Sequence, residues 1–145
     1  MLRYRVFLDT SALFSGLWSD AGGARFILKL GEAGLIQILA SPEVLAEIED
    51  VLRRKAPEIL GELTLVLNRS GVEVIPSPCY DDVQNCELLI DHAADARVIA
   101  SVWRAEVDFF VTLDRKHFLK NEALMESASF PLGTPGDFLA WFRNQ

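Results

Sequence analysis

The side chains of this chain best placed for chemistry are carboxylates that follow apolar runs. Asp9 closes R-Y-R-V-F-L-D in the segment F-L-D-T-S, and Asp114 closes D-F-F-V-T-L-D. Both runs read as strands. Acids at the carboxyl ends of strands lie where open α/β sheets collect their ligands. Two further positions leave a choice. Asp91 and Asp95 both lie near the start of a helix expected from Ala93 to Ala105, where an acid also suits the cap and the helix dipole. Glu47 and Glu49 border opposite edges of the apolar face of a helix expected from Pro42 to about Lys55, and periodicity does not choose between them. Taken singly, each acid has a structural explanation. Asp suits turns and caps, and either Glu would pair with Arg53 or Arg54 on a solvated edge. Brought together, such carboxylates are the donors of a hard divalent cation.

The elements that must position these acids alternate between strand and helix. The first strand ends at Asp9; Gly16 to Gly23 reads as loop, and Ala24 to Ala33 as helix. L-I-Q-I-L-A is a second strand, closed by Ser41-Pro42, a serine cap with proline at the first helical position. Pro57 restarts a helix running to Asn68, and V-E-V-I-P is a third strand. After a polar stretch comes the Ala93 helix, then D-F-F-V-T, a continuous apolar run of the kind buried in a parallel sheet. Phe130 to Thr134 is a fifth strand candidate, and G-D-F-L-A-W-F a closing amphipathic helix. This alternation predicts an α/β fold with a mainly parallel sheet.

The chain has 145 residues, half of them hydrophobic, with a mean hydropathy of +0.20. That suits one domain over residues 1–145 with a real core, and argues against disorder. No apolar run reaches the length of a membrane span, and the N-terminus meets an acid too soon for a secretory signal. Cys79 and Cys86 are too far apart for a C-x-x-C pair, so zinc is not expected, and two free thiols suit a reducing cytoplasm. A net charge of −7 argues against nucleic acid as a partner. It does so weakly, because metal-binding carboxylates make net charge misleading and local basic patches still follow phosphates.

In order, F-L-D-T-S-A-L, S-P-E-V-L-A-E-I-E-D-V-L, D-A-R-V-I-A and D-F-F-V-T-L-D-R-K-H-F resemble the PIN (PilT N-terminal) domain family, and within it the branch of VapC-type toxins. The similarity runs over nearly the whole chain, to the final G-T-P-G-D-F-L. It implies a PIN-like, Rossmann-like, three-layer α/β/α sandwich around a central, mainly parallel sheet of four to five strands. It also implies a site of four acids: Asp9, Glu47, Asp95 and Asp114, with Asp9, Asp95 and Asp114 as metal ligands. Glu47 is preferred to Glu49 because it aligns the following I-E-D-V-L. Around Asp95 the chain departs from the family, having H-A-A-D where members often carry more acids. Ser11 and Thr112 match the small polar positions that support the site.

The implied activity is endoribonucleolytic, leaving a 5′-phosphate and a 3′-hydroxyl, with one or two Mg²⁺ or Mn²⁺ ions as cofactor. A cation relieves the repulsion among packed carboxylates and supplies an activated water. Arg115, Lys116, His117 and Lys120, and further off Arg97 and Arg104, are candidate contacts to the RNA backbone; a solvated basic loop explains the run equally well. His117 is given no catalytic role. Trp18, Trp103 and Trp141 are read as core or interface. The implied partners are RNA, an antitoxin protein and a second copy of the chain, with Phe138, Trp141 and Phe142 as an apolar patch that would serve equally as core.

Rival readings fail on particular residues. A dehalogenase-type phosphatase wants an acid where Ser11 stands, a receiver domain wants one after V-E-V-I-P, and neither G-x-G-x-x-G nor a Walker loop is present. The remaining rival is a PIN-like binding module with little catalysis. The response of melting temperature to Mg²⁺ or Mn²⁺ separates it from a metalloenzyme.

Overall fold

The computed structural model describes residues 2–145. Five strands, β1 (Tyr4–Leu8), β2 (Ile36–Ala40), β3 (Glu73–Val74), β4 (Phe109–Val111) and β5 (Leu132–Gly133), form one sheet in the order β3-β2-β1-β4-β5. Every neighbouring pair is parallel, with Val6 beside Ile38 on one edge of β1 and beside Phe109 on the other. The fold is therefore α/β, as the alternation of elements predicts, and the sheet is wholly parallel.

Burial on both faces explains why β1, β2 and β4 are apolar almost throughout. On one face Phe109 packs against Phe138 and Trp141 of the last helix, α9 (Pro135–Arg143). On the other, Phe110 stacks on Phe7 with ring centroids 5.3 Å apart and meets Phe118 and Phe130. Trp103, from α7 (Ala93–Arg104), closes over Phe130. Phe138 is fully buried and Trp141 and Phe142 pack half-buried against the core. The patch offered for self-association is thus the lid of the sheet, and Trp103 and Trp141 are core-edge residues. Trp18 is not core: it is exposed and stacks on Phe14.

The remaining helices correct the sequence reading in several places. The loop expected from Gly16 to Gly23 is confined to residues 19–22, because α1 runs from Thr10 to Trp18 and α2 from Gly23 to Glu32. A Cβ on Gly16 would lie 2.8 Å from the Leu28 side chain and 3.2 Å from the Ala24 carbonyl oxygen, so this glycine serves close helix contact. The helix expected from Pro57 to Asn68 is broken at Gly61–Glu62 into α4 (Pro57–Leu60) and α5 (Leu63–Arg69). The polar stretch before Ala93 holds α6 (Tyr80–Glu87), and α8 (Glu122–Ser127) follows a π-helical turn over Arg115–Leu119.

The helix over Pro42–Lys55, α3, forms as expected, with Ser41 fully buried and its Oγ accepting from the Val44 N–H at 3.2 Å. Ser41→Ala leaves that N–H without a partner and is expected to cost about 1 kcal/mol. An unchanged urea midpoint would show that the cap contributes nothing.

Candidate metal centre

β1 and β4 are neighbours, so their carboxyl ends open side by side. The Asp9 N–H donates to the Val111 carbonyl at 3.2 Å, which fixes the start of α1 against the end of β4. Asp9 caps α1. Its Oδ1 accepts from the Ala12 N–H at 3.0 Å and from Ser11 Oγ at 2.7 Å, while Thr112 Oγ1 donates to Oδ2. Ser11 Oγ also accepts from the Leu113 N–H at 3.0 Å, and Thr112 Oγ1 from the Asp114 N–H at 3.0 Å. The two hydroxyls thus tie the Asp9 carboxylate to the backbone that carries Asp114.

Asp9 is 6% exposed, and burial pushes its carboxyl up to about 6. Hydrogen bonds from Thr112, Ala12 and Ser11 pull the other way, and repulsion from Asp114 adds to the rise. Asp95 is also held above the ordinary carboxylate range, first by burial; His92 and His117 oppose this, while Asp114 and Glu47 reinforce it. Buried acids held up by desolvation beside further carboxylates form a site that favours a cation.

All four expected acids line one small cleft of about 70 Å³, together with Ser11, Val44 and Phe118. Its size suits a cation with a few waters. The alternatives lie elsewhere: Glu49 Oε1 is bound by Arg53 at 2.7 Å, and Asp91 lines a neighbouring groove of about 500 Å³ with His92, Lys116 and His117. Each element sends its acid there for a local reason. Asp9 and Asp114 cap the α1 and π-helical turns that begin where their strands stop, Asp95 sits in the first turn of α7, and Glu47 follows the buried Val44 by one turn on α3. Glu43, which the sequence reading did not single out, lies one turn before Glu47, and its Oε2 is buried without a hydrogen-bond partner.

A histidine enters the cluster as well. The π-helical turn returns His117 over its own cap, so that Nδ1 stands 3.0 Å from Asp114 Oδ2 and 3.1 Å from Asp95 Oδ2. His92 Nδ1 is also 3.1 Å from Asp95 Oδ2, and the two imidazole rings are 5.0 Å apart. Asp95, Asp114 and His117 offer ligand atoms that all lie within 4.8 Å of one another. The spacing D-R-K-H after the fourth strand was the available signal, since a residue three beyond a capping acid comes back over it.

Of the basic residues, Arg115, Lys116, Lys120 and Arg97 are exposed, and none is in an ion pair among the described residues. Arg104 is committed instead to Asp82, at 2.8 Å. Among the described residues, no helix is long and apolar enough to cross a membrane.

The fold has close counterparts among solved structures. The Rickettsia felis VapBC2 structure, bound to a DNA fragment from its promoter, matches with a TM-score of 0.67 at 18% identity, covering 90% of this chain and 98% of that one. DNA-bound VapBC from Salmonella typhimurium matches at 0.68 with 11% identity, covering 91% and 98%. VapC20 from Mycobacterium tuberculosis, described as a sarcin-ricin loop cleaving toxin, matches at 0.54 with 19% identity, covering 77% and 91%. No curated protein sequence matches the chain. At these identities the likeness shows the fold. A profile of the PIN domain matches residues 5–116 directly, most of the chain, from within β1 to just past Asp114, so this protein belongs to the PIN domain family.

Proposed function

We propose that the chain is a divalent-metal-dependent endoribonuclease acting in the cytoplasm as the toxin of a toxin–antitoxin pair. One observation carries the catalytic part: four acids from four separate segments line a single cleft at the carboxyl end of a parallel sheet. The donor set is all oxygen apart from His117, and it fits one or two Mg²⁺ or Mn²⁺ ions. When bound, such an ion lowers the pKa of a water and neutralises charge on the leaving oxygen.

The residues divide the remaining work. Asp9, Asp95 and Asp114 hold the cation, with Ser11 and Thr112 fixing the orientation of the Asp9 carboxylate. Glu47, which no hydrogen bond holds elsewhere among the described residues, orients the attacking water and takes its proton on a carboxylate oxygen. Arg115, Lys116, Lys120 and Arg97 contact the RNA backbone beside the cleft. VapBC assemblies among the structural counterparts support an antitoxin as partner, and the exposed Trp18 and Phe26 offer it apolar surface. A homodimer is the expected assembly.

The test is cleavage of RNA by the purified chain in Mg²⁺ or Mn²⁺, with EDTA as control. Cleavage leaving 5′-phosphate and 3′-hydroxyl ends is expected, lost in EDTA and in both Asp9→Ala and Asp114→Ala. Full activity in both variants would sink the assignment.

A further inference from the structure

We propose that His117 is a nitrogen ligand of this centre and that it turns the site's preference from Mg²⁺ toward Mn²⁺. The inference rests on the metal site proposed above and adds to it a donor of different chemistry. Of the atoms gathered around Asp95 and Asp114, His117 Nδ1 alone lies about equally close to a carboxylate oxygen of each, at 3.1 and 3.0 Å. Ligands adjacent on an octahedron with bonds of about 2.1 Å are about 3.0 Å apart. Both nitrogen–oxygen pairs therefore already have the spacing of neighbouring ligands around one cation, and the ligand atoms of all three residues lie within 4.8 Å of one another. In the metal-free protein the same Nδ1 lies against both carboxylate oxygens. A cation held there would bind Nδ1 of the ring whose hydrogen is on Nε2.

The placement of the ring is built into the fold. Phe118, the next residue, is 1% exposed and packs against Phe110 of β4, which anchors the turn from below. Asp114 holds the turn from above, its Oδ1 accepting from the His117 N–H at 3.0 Å. Asn121 adds a third tie by donating to the His117 carbonyl at 3.3 Å and to the Leu89 carbonyl at 2.8 Å. His92 differs. Its side chain is 55% exposed, and its Nδ1 reaches Asp95 alone among the acids of the cleft. It belongs around the ligands, where it orients Asp95.

The consequence concerns which ion binds. Carboxylate and water suit Mg²⁺ and Mn²⁺ alike, whereas imidazole favours the transition metal along the Irving–Williams order. One nitrogen among oxygens thus gives Mn²⁺ an advantage that an all-carboxylate centre lacks.

The experiment is pulsed electron paramagnetic resonance of the full chain loaded with Mn²⁺, read for coupling to a directly bound ¹⁴N, with calorimetric titration of Mn²⁺ and of Mg²⁺ alongside. The wild type is expected to show the nitrogen coupling, and His92→Ala to keep it. His117→Ala and His117→Gln are expected to lose it, and to lose the preference for Mn²⁺ over Mg²⁺ by about tenfold. Two replacements of different size, each checked by circular dichroism, guard against a variant that fails to fold. Bound Mn²⁺ without nitrogen coupling in the wild type, or coupling that survives in both His117 variants, overturns the ligand and leaves the proposed nuclease standing. Mg²⁺ binding without Mn²⁺ binding overturns the ligand alone, and binding of neither ion overturns both.

Discussion

Asp9→Asn is expected to stabilise the metal-free protein at neutral pH while abolishing cleavage. The carboxyl of Asp9 is buried and raised from 3.8 to about 6, so between those values the folded chain holds a proton that the unfolded chain has released. Stability therefore falls as pH rises through that window, and above it the ionised carboxylate costs about 2–3 kcal/mol in the absence of a cation. Asparagine keeps the shape and still accepts from Ser11 and the Ala12 N–H, but carries no charge. In EDTA, the gap in unfolding free energy between variant and wild type should be smallest near pH 4 and reach its full size above pH 6. With Mn²⁺ added the order reverses, because the wild type gains a ligand by mass action and the variant binds it poorly. A variant less stable than the wild type in EDTA at pH 7 would contradict this account of Asp9.

Glu47→Gln separates catalysis from metal binding. Glu47 lines the cleft from α3 and has no hydrogen-bond partner among the described residues, unlike Asp9 and Asp114, which cap the turns that follow them. If it moves the proton of the attacking water, its amide should lower kcat by about 10²–10⁴-fold. The rise in melting temperature on adding Mn²⁺ should stay at the wild-type size. Loss of both together would make Glu47 a ligand instead, and loss of neither would remove it from the site.

How much of this was legible in the sequence depends on how each element announces itself. Ser41-Pro42 marks the start of α3 with a cap and a proline, and D-F-F-V-T can be little else than a buried strand, so both were readable. The first helix was missed because Ser15, Gly16 and Gly22–Gly23 look like loop punctuation, whereas Gly16 is needed for contact with α2. Helix α6 buries only Cys86, so its sequence carries almost no apolar stripe to detect. At the site, Asp9 and Asp114 followed from strand ends, but the choice of Glu47 over Glu49 needed the family resemblance. The structure gives a physical reason for the same choice, since Glu49 is engaged by Arg53. His117 was set aside because a metal mechanism needs no general acid. Its position beside Asp95 depends on a π-helical turn anchored by Phe118, which no local periodicity reveals.

The placing of β1 between β2 and β4 has a consequence for a chain made from its N-terminus. The contact between Asp9 and Thr112 joins residues 103 positions apart, and the first three strands can assemble while β4 is still inside the ribosome. At that stage Asp9 and Glu47 have emerged, but neither Thr112 nor Asp114 has, and one edge of β1 stands open. A chain halted just upstream of Phe109 thus carries Asp9, Glu47 and Asp95 without Asp114, and an unpaired strand edge, which marks it for aggregation or proteolysis. For the proposed nuclease, this order of synthesis leaves the site incomplete during translation and closes it only when the segment from Phe109 onward docks.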